Sequence, residues 1–306
     1  MSDPRSDDDE RGEHDETPGE EEAPSGRRPS PTLDRMVQLR EEEERIRQRM
    51  AMVRHKILIL SGKGGVGKTT VAANLARALA VRGLTVGLLD ADIHGPNLPL
   101  LMGLEGERAL GSEEALLPVE AGPNLRVMSI GFMLQDSKQP VIWRGPLKGS
   151  LLRQFLADVE WGPLDFLIVD NPPGTGDEPL TVAQAIPEAD GAVIVSLPQE
   201  VSLLDCRKAI NFAHALKLPV LGVIENMSGF VCPHCGERVD VFGAGGAERM
   251  AGEMGAPFLG RIPMAAQVYA LSDSGGSLVG PEAPEQIRRA YFALADALLS
   301  RLEATP

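Results

Sequence analysis

The chain has 306 residues, of which 24% are charged, 43% are hydrophobic and only 4% are aromatic. This composition is typical of a globular protein and excludes fibrous and membrane-spanning classes, because no apolar run reaches the roughly 18 residues that a transmembrane helix needs. The formal charge of -14 argues against a protein that binds nucleic acid or an anionic membrane by broad electrostatic attraction.

The cysteine content points to a reducing compartment. Three cysteines cannot build a disulfide framework, and two of them stand in a C-x-x-C pattern that is typical of metal chemistry. The first thirty residues are hydrophilic and lack the apolar core of a signal peptide. We therefore expect a cytoplasmic protein.

Two segments precede the first predicted strand. Residues 1–34 contain twelve Asp or Glu against four Arg, which predicts a disordered acidic leader, with a dedicated docking tail as the alternative. A charged helical pattern then predicts an entry helix over residues 35–52, lying on the surface of the domain. The pattern itself starts at Leu33, and its sparse apolar positions are Leu33, Met36, Val37, Leu39, Ile46 and Met50. Residues 53–306 are expected to form one domain without internal repeats.

Short apolar strands alternate with amphipathic helices through this domain. The predicted strands are 56–60, 85–89, 125–130, 166–170, 192–196, 220–224 and 258–262. The predicted helices are 68–82, 146–159, 202–216, 243–254 and 284–302. Such alternation predicts an α/β fold, a mainly parallel sheet with helices on both faces.

A phosphate-binding loop follows the first strand. The run S-G-K-G-G-V-G-K-T-T satisfies the pattern G-x-x-x-x-G-K-[ST] and opens a predicted helix. Its glycines let backbone N–H groups surround a phosphate, and the helix N-terminus favours negative charge at the same place. Lys68 is expected to contact the β and γ oxygens, Thr69 to bind Mg²⁺ and Thr70 to reach the α-phosphate. The predicted nucleotide contacts are Gly62, Lys63, Gly64, Gly65, Val66, Gly67, Lys68, Thr69 and Thr70.

Carboxylates end two of the predicted strands. Asp90 and Asp92 follow the second strand and Asp170 ends a later one, and the carboxyl ends of parallel strands meet at one edge of a sheet. Asp90 and Asp170 are expected to hold Mg²⁺ through water. The alternative is that these acids cap the helices that follow them.

The pair Cys232 and Cys235 lies in G-F-V-C-P-H-C-G-E, a spacing that lets two thiolates bind one metal. Both [4Fe-4S] clusters and structural zinc normally take four ligands, so a twofold dimer with one pair from each subunit is the simplest completion. A half zinc ribbon or a redox dithiol is the alternative. His234 is interpreted as a loop residue and Cys206 as a packed thiol.

The loop resembles the deviant Walker A loop of the MinD, ParA and nitrogenase iron-protein class, and seven runs of the sequence look like its Mrp/ApbC branch of iron–sulfur cluster carrier and scaffold ATPases. The runs are S-G-K-G-G-V-G-K-T-T, D-A-D-I-H-G-P-N, V-I-W-R-G-P, D-N-P-P-G-T-G-D-E-P-L-T, P-Q-E-V-S-L-L-D, G-V-I-E-N-M-S-G-F-V-C-P-H-C-G and F-L-G-R-I-P, from about residue 35 nearly to the C-terminus.

The resemblance implies roles for individual residues. Lys63 would contact phosphate across a nucleotide-sandwich dimer, although it otherwise reads equally well as an exposed loop lysine. Asp92 would lie in switch I and polarise the attacking water, and residues 172–176 would form switch II. Asn226 would contact adenine, with a turn residue as the alternative. Cys232 and Cys235 would hold a [4Fe-4S] cluster bridged across the dimer, for transfer to recipient apoproteins.

The chain also departs from this family pattern. Asn171 replaces the usual apolar residue before P-P-G, and Asn97 replaces a serine of switch I. The absence of any cysteine before Cys206 leads us to expect no N-terminal cluster. The sequence thus predicts a homodimeric ATPase that uses ATP, Mg²⁺ and a [4Fe-4S] cluster, without nucleic-acid or membrane partners. A MinD- or ParA-like positioning ATPase and a nucleotide-switched scaffold with structural zinc remain as alternatives.

Overall fold

The computed structural model describes residues 31–93, 95–111, 115–134, 145–232 and 234–304. The expectations for the acidic leader before residue 31, for His94 of the D-A-D-I-H-G-P-N run and for the start of V-I-W-R-G-P lie outside these residues. Chain contacts divide the molecule into two units between Leu39 and Arg40, and the sheet belongs to the second unit, which begins at Arg40.

Eight strands of the described residues form one sheet, in the order β12-β9-β8-β1-β7-β2-β6-β5. All its neighbours are parallel except β5 and β6. Two short hairpins, β3–β4 and β10–β11, lie apart from this sheet. The strands are β1 (Val53–Leu60), β2 (Val86–Asp90), β3 (Leu110–Gly111), β4 (Leu116–Leu117), β5 (Val119–Glu120), β6 (Leu125–Met128), β7 (Leu164–Asp170), β8 (Gly191–Ser196), β9 (Val220–Glu225), β10 (Phe230–Val231), β11 (Arg238–Val239) and β12 (Phe258–Arg261).

Helices cover both faces of the sheet. One face packs mainly against α2 and α9, and the other packs against α4, α6 and α7. In the described residues the helices are α1 (Pro31–Met50), α2 (Lys68–Val81), α3 (Leu98–Leu101), α4 (Gly145–Asp158), α5 (Asp177–Ala185), α6 (Glu200–Ala215), α7 (Gly246–Glu253), α8 (Ala266–Asp273) and α9 (Glu285–Glu303). None of them combines the length and the hydropathy needed to cross a bilayer.

The central strands explain the buried core. From Ile57 to Leu60, every side chain of β1 is fully buried because β7 and β8 flank it and helices cover both faces. Strands buried on both sides carry continuous apolar runs, as the sequence of β1 does. The predicted α/β fold with a mainly parallel sheet and helices on both faces is confirmed.

Some element limits differ from those expected. Helix α1 begins at Pro31, within the segment assigned to the leader, and ends at Met50. Of the apolar positions in this helix, Ile46 and Met50 are buried, whereas Met36, Val37 and Leu39 are exposed. Strand β6 ends at Met128, because the chain then turns into a one-turn 3₁₀ helix, Ile130–Phe132.

Helix α7 begins at Gly246 and not at the predicted residue 243. Gly243 and Gly245 have φ values of 87° and 77°, in the left-handed region. A helix does not contain such residues, so its first turn starts after them.

Candidate functional site

The phosphate-binding loop connects the buried strand β1 to the N-terminus of α2. Gly65 and Gly67 adopt φ values of 78° and 83°, which favour glycine because a Cβ atom would be strained there. A Cβ atom on Gly67 would also lie 2.3 Å from Asn226 Nδ2. The first turn of α2 carries no acidic residue, so nothing opposes an anion at its N-terminus.

Lys68 and Thr69 both contact the carboxylate of Asp170. Lys68 Nζ lies 2.5 Å from Asp170 Oδ1, and Thr69 Oγ1 donates to Asp170 Oδ2 at 2.7 Å. Lys68 is 6% exposed and Asp170 is fully buried. Burial raises the pKa of Asp170, and the Lys68 ammonium opposes that shift. The loop is thereby joined to the end of β7, as predicted for a strand-ending acid.

Asp90 lies beside Asp170 on the neighbouring strand. The two residues are register partners at the ends of β2 and β7. Ser129 Oγ donates to Asp90 Oδ2 at 2.9 Å. Burial and the negative charge of Asp170 raise the pKa of Asp90 to about 8, although the Ser129 hydrogen bond and Lys68 oppose the shift. This arrangement therefore favours the protonated form of Asp90 near neutral pH.

These oxygen atoms fit a magnesium ion. Mg²⁺ prefers carboxylate and hydroxyl oxygens and keeps several of its waters. Thr69 Oγ1 and the carboxylates of Asp90 and Asp170 supply such oxygens next to the phosphate-binding loop. An ion bound there would favour the ionised form of Asp90, because a divalent cation stabilises a nearby carboxylate.

A cavity of about 360 Å³ opens over the loop. Its walls include Asp92 and Asn97 of the expected switch I and Pro173 of the expected switch II. Gly174 N donates to Ser61 O, which fixes switch II against the start of the loop. The loop residues that line the cavity are Ser61, Lys63, Gly64, Gly65, Gly67, Lys68, Thr69 and Thr70.

Asp92 and Lys63 both face this cavity with part of their side chains exposed. The backbone N–H of Asp92 donates to Asp90 Oδ1 at 3.1 Å, and its own Oδ1 accepts from Gly95 N. Among the residues that the structure describes, none forms a salt bridge with Lys63. Its ammonium is therefore available to a phosphate or to another chain.

Two asparagines surround the loop in different ways. Asn226 is buried, and its Nδ2 donates to Val66 O at 2.9 Å, so it lies against the loop, while its contact with adenine stays a prediction. Asn171 follows Asp170 and is fully buried, yet neither its Nδ2 nor its Oδ1 has a hydrogen-bond partner. An unsatisfied buried amide destabilises the conformation that contains it.

The thiol pair lies on a separate hairpin. Strands β10 and β11 flank it, and Gly236 N donates to Cys232 O in the tight turn between them. Cys232 is half-buried and Cys235 is exposed. Backbone N–H groups of Cys235 and His234 lower the pKa of Cys232. In the described part of the chain, no group of three or more His, Cys, Asp or Glu is arranged to hold a metal ion.

Cys206 is a packed thiol, as expected. It lies on the buried face of α6 with 1% of its surface exposed, and burial raises its pKa to about 12. Most of the residues expected at the nucleotide line one cavity, whereas Gly62, Val66 and Asn226 lie outside its lining, as the Cys232 and Cys235 pair does.

Sequence reasoning missed two buried polar residues near the site. Ser129 binds Asp90, and Glu225 ends β9 with its carboxylate fully buried. Glu225 stands immediately before Asn226, and its position at a strand end was the one available signal. Ser129 gave no such signal, because it lies inside the predicted strand 125–130 and not at its end.

Known proteins with similar sequences include iron-transfer NTPases and iron–sulfur cluster carriers. A family model described as the NUBPL iron-transfer P-loop NTPase matches residues 52–299. The iron–sulfur cluster carrier protein of Methanocaldococcus jannaschii is 52% identical over 241 residues, which cover 79% of this chain and 83% of that protein.

Solved structures of similar fold include a nucleotide-binding protein and MinD. A nucleotide-binding protein of Archaeoglobus fulgidus in complex with ADP is 42% identical, with a TM-score of 0.71 and coverage of 81% of this chain and 96% of that one. The cell division protein MinD of Aquifex aeolicus is 25% identical, with a TM-score of 0.58 and coverage of 80% and 97%. The expected P-loop NTPase is confirmed, and the chain belongs to the iron-transfer P-loop NTPase family that includes curated iron–sulfur cluster carrier proteins.

Proposed function

We propose that the chain is an ATP-hydrolysing iron–sulfur cluster carrier that works as a homodimer and passes a [4Fe-4S] cluster to apoproteins. The observation that carries the proposal is the combination, in one chain, of a phosphate-binding loop tied to strand-ending carboxylates and an exposed thiol pair on a separate hairpin. The family supports both the nucleotide-binding part and the cluster-carrying part of this proposal.

The proposed nucleotide chemistry uses the residues around the cavity. Backbone N–H groups of the loop bind the β-phosphate, and Lys68 neutralises charge on the β and γ oxygens. Thr69, Asp90 and Asp170 are the residues that would hold Mg²⁺, which neutralises phosphate charge when it is bound. Asp92 orients a water toward the γ-phosphorus. The water oxygen bonds to that phosphorus as the bond to the β–γ bridging oxygen breaks, and the products are ADP and phosphate, with the water's proton passing to the phosphate.

We assign Lys63 to the nucleotide of the partner subunit. Lys68 already serves the chain's own nucleotide, and Lys63 has an ammonium without a salt bridge to any described residue at the open side of the cavity. A cation supplied in trans can stabilise the transition state of phosphoryl transfer, as arginine fingers do. Hydrolysis would then require a dimer.

The cluster is cargo in this proposal. Cys232 and Cys235 supply two thiolates, half of the four that a [4Fe-4S] cluster normally takes, and a second subunit supplies the other two. The exposure of Cys235 suits a cluster that is handed on rather than kept. Asn226 would contact the adenine, as the resemblance to the family implies, and the hydrogen bond from its Nδ2 to Val66 O holds it against the loop.

Anaerobic cluster transfer tests this function. Purified protein is reconstituted with iron and sulfide, an apo acceptor protein that needs a [4Fe-4S] cluster is added, and the recovery of acceptor activity is followed. We expect transfer by the wild type and none by Cys232→Ser. Zinc that iron does not displace would favour a structural scaffold, and ATP turnover without any cluster would favour a positioning ATPase like MinD.

A further inference from the structure

A four-residue turn connects β9 to the hairpin that carries Cys232 and Cys235, and it also contacts the phosphate-binding loop. It runs from Glu225, the last residue of β9, to Ser228, two residues before β10. At its second position, Asn226 Nδ2 donates to Val66 O at 2.9 Å, and its backbone N–H donates to Ser196 O. The turn therefore touches the loop directly.

The Glu225 carboxylate accepts hydrogen bonds from residues that precede the hairpin and from residues that follow it. Its Oε1 accepts from Ser228 Oγ at 2.5 Å and from Gly245 N at 2.8 Å, and its Oε2 accepts from Ala247 N at 2.7 Å. Ser228 precedes the hairpin, whereas Gly245 and Ala247 follow it at the start of α7. Arg261 lies 3.5 Å away and balances the charge of this fully buried carboxylate.

The turn is held in one conformation. Met227 has a φ of 55°, a left-handed conformation that is unfavourable for a non-glycine residue and is kept only when neighbouring contacts fix it. Ser228 N donates to Ile262 O on the far side. Only Met227 separates Asn226 from Ser228. Because its backbone conformation is fixed, a displacement of Asn226 also displaces Ser228.

We propose that Glu225 and Ser228 are positioning residues that couple the phosphate-binding loop to the thiol pair within one subunit. Nucleotide bound to the loop fixes the carbonyl of Val66, and with it Asn226. The turn transmits this restraint through the Glu225 carboxylate to both ends of the hairpin that carries Cys232 and Cys235. This inference rests on nucleotide binding at the loop, as the proposed function has it.

The rate of thiol modification tests the coupling. The full-length protein, free of iron and zinc, is treated with a chromogenic aryl disulfide, with and without ATP and Mg²⁺. Each thiolate that attacks forms a bond to one aryl sulfur and releases the other as a coloured aryl thiolate. We expect nucleotide to slow modification of Cys232 and Cys235 by about fivefold, the low end of typical coupling between sites.

Two variants and one control locate the effect. Ser228→Ala and Glu225→Gln are expected to bind ATP as tightly as the wild type but to react at the same rate with and without it. Glu253→Gln, on the exposed face of α7 and paired with Arg207, is expected to keep the slowing. The ratio of rates should not change with protein concentration, because the path lies within one chain.

Three results would overturn the inference. The first is ATP binding with an unchanged rate in the wild type, and the second is nucleotide-dependent slowing that persists in Ser228→Ala. The third is slowing that grows with protein concentration, which would assign the effect to shielding in a dimer. A wild type that binds no ATP would overturn the proposed function as well, so the two failures are distinguishable.

Discussion

Lys68 Nζ lies 2.5 Å from Asp170 Oδ1 in the interior of the domain, with 6% and 0% of the two side chains exposed. The pair connects the first residue of α2 with the last residue of β7. Thr69 binds the other oxygen of the same carboxylate. One carboxylate thus holds both residues that we assign to phosphate and magnesium.

Lys68→Ala tests this ion pair through stability. Removal of one partner of a buried ion pair leaves the charge of the other buried and unpaired. We therefore expect the free energy of unfolding to fall by about 3–5 kcal/mol. Denaturant titration measures it. Lys208→Ala removes an exposed pair with Asp205 and should cost at most about 1 kcal/mol. Equal losses in both variants would contradict the role of the buried pair, and addition of Asp170→Asn should recover part of the loss in Lys68→Ala.

The protonation of Asp90 predicts a pH dependence. Its pKa is raised from 3.8 to about 8, so the folded state binds a proton that the unfolded chain releases. The stabilising contribution is complete below pH 4 and is lost as the pH rises toward 8. Asp90→Asn, which stays neutral, should therefore lose less stability than the wild type between pH 5 and pH 8, as measured by denaturant midpoints without divalent metal. Parallel curves would contradict the raised pKa.

Asn171→Leu should stabilise the protein. The side chain of Asn171 is buried with neither polar atom paired, and removal of such a group recovers about 1–3 kcal/mol. Asn74→Leu is the matched control, because the Asn74 side chain bonds Thr70 O and Leu278 N. We expect opposite signs for the two substitutions in thermal unfolding. A destabilised Asn171→Leu would mean that its amide has a partner.

Lys63→Ala tests the assignment in trans. ATP should still bind, because Lys68 and the loop backbone are intact, whereas hydrolysis should fall by about a thousandfold, as when an arginine finger is lost. Equilibrium binding and phosphate release measure the two quantities. The wild-type rate per chain should rise with protein concentration. A rate that is independent of concentration and insensitive to Lys63→Ala would contradict hydrolysis in a dimer.

Long elements were predictable from the sequence, and short ones were not. The seven strands and five helices predicted within the domain are all present, because each has enough apolar residues to show its period. Strands of two residues, such as Leu110–Gly111 and Phe230–Val231, are too short to show one. Helix α5 was missed because Asp177–Ala185 begins directly after residues 172–176, which were interpreted as a switch, and no helical pattern was assigned there.

The loop and the strand-ending acids were predictable because a local motif fixes the loop and the topology brings strand ends together. Ser129 and Glu225 were not, since their partners depend on how distant segments pack. Ser129 binds Asp90, 39 residues away, and Glu225 binds the start of α7, 20 and 22 residues further along the chain. Sequence spacing alone gives no signal for such contacts.

Cluster binding by a dimer is tested by metal analysis of protein reconstituted anaerobically with iron and sulfide, with the mass of the assembly measured on the same sample. We expect a dimer with about two iron atoms per chain and absorbance typical of a [4Fe-4S] cluster. Cys206→Ser should retain the cluster, and Cys232→Ser and Cys235→Ser should each lose it. A monomer that carries the cluster, or retention of iron by Cys232→Ser, would contradict a carrier that shares its cluster between two subunits.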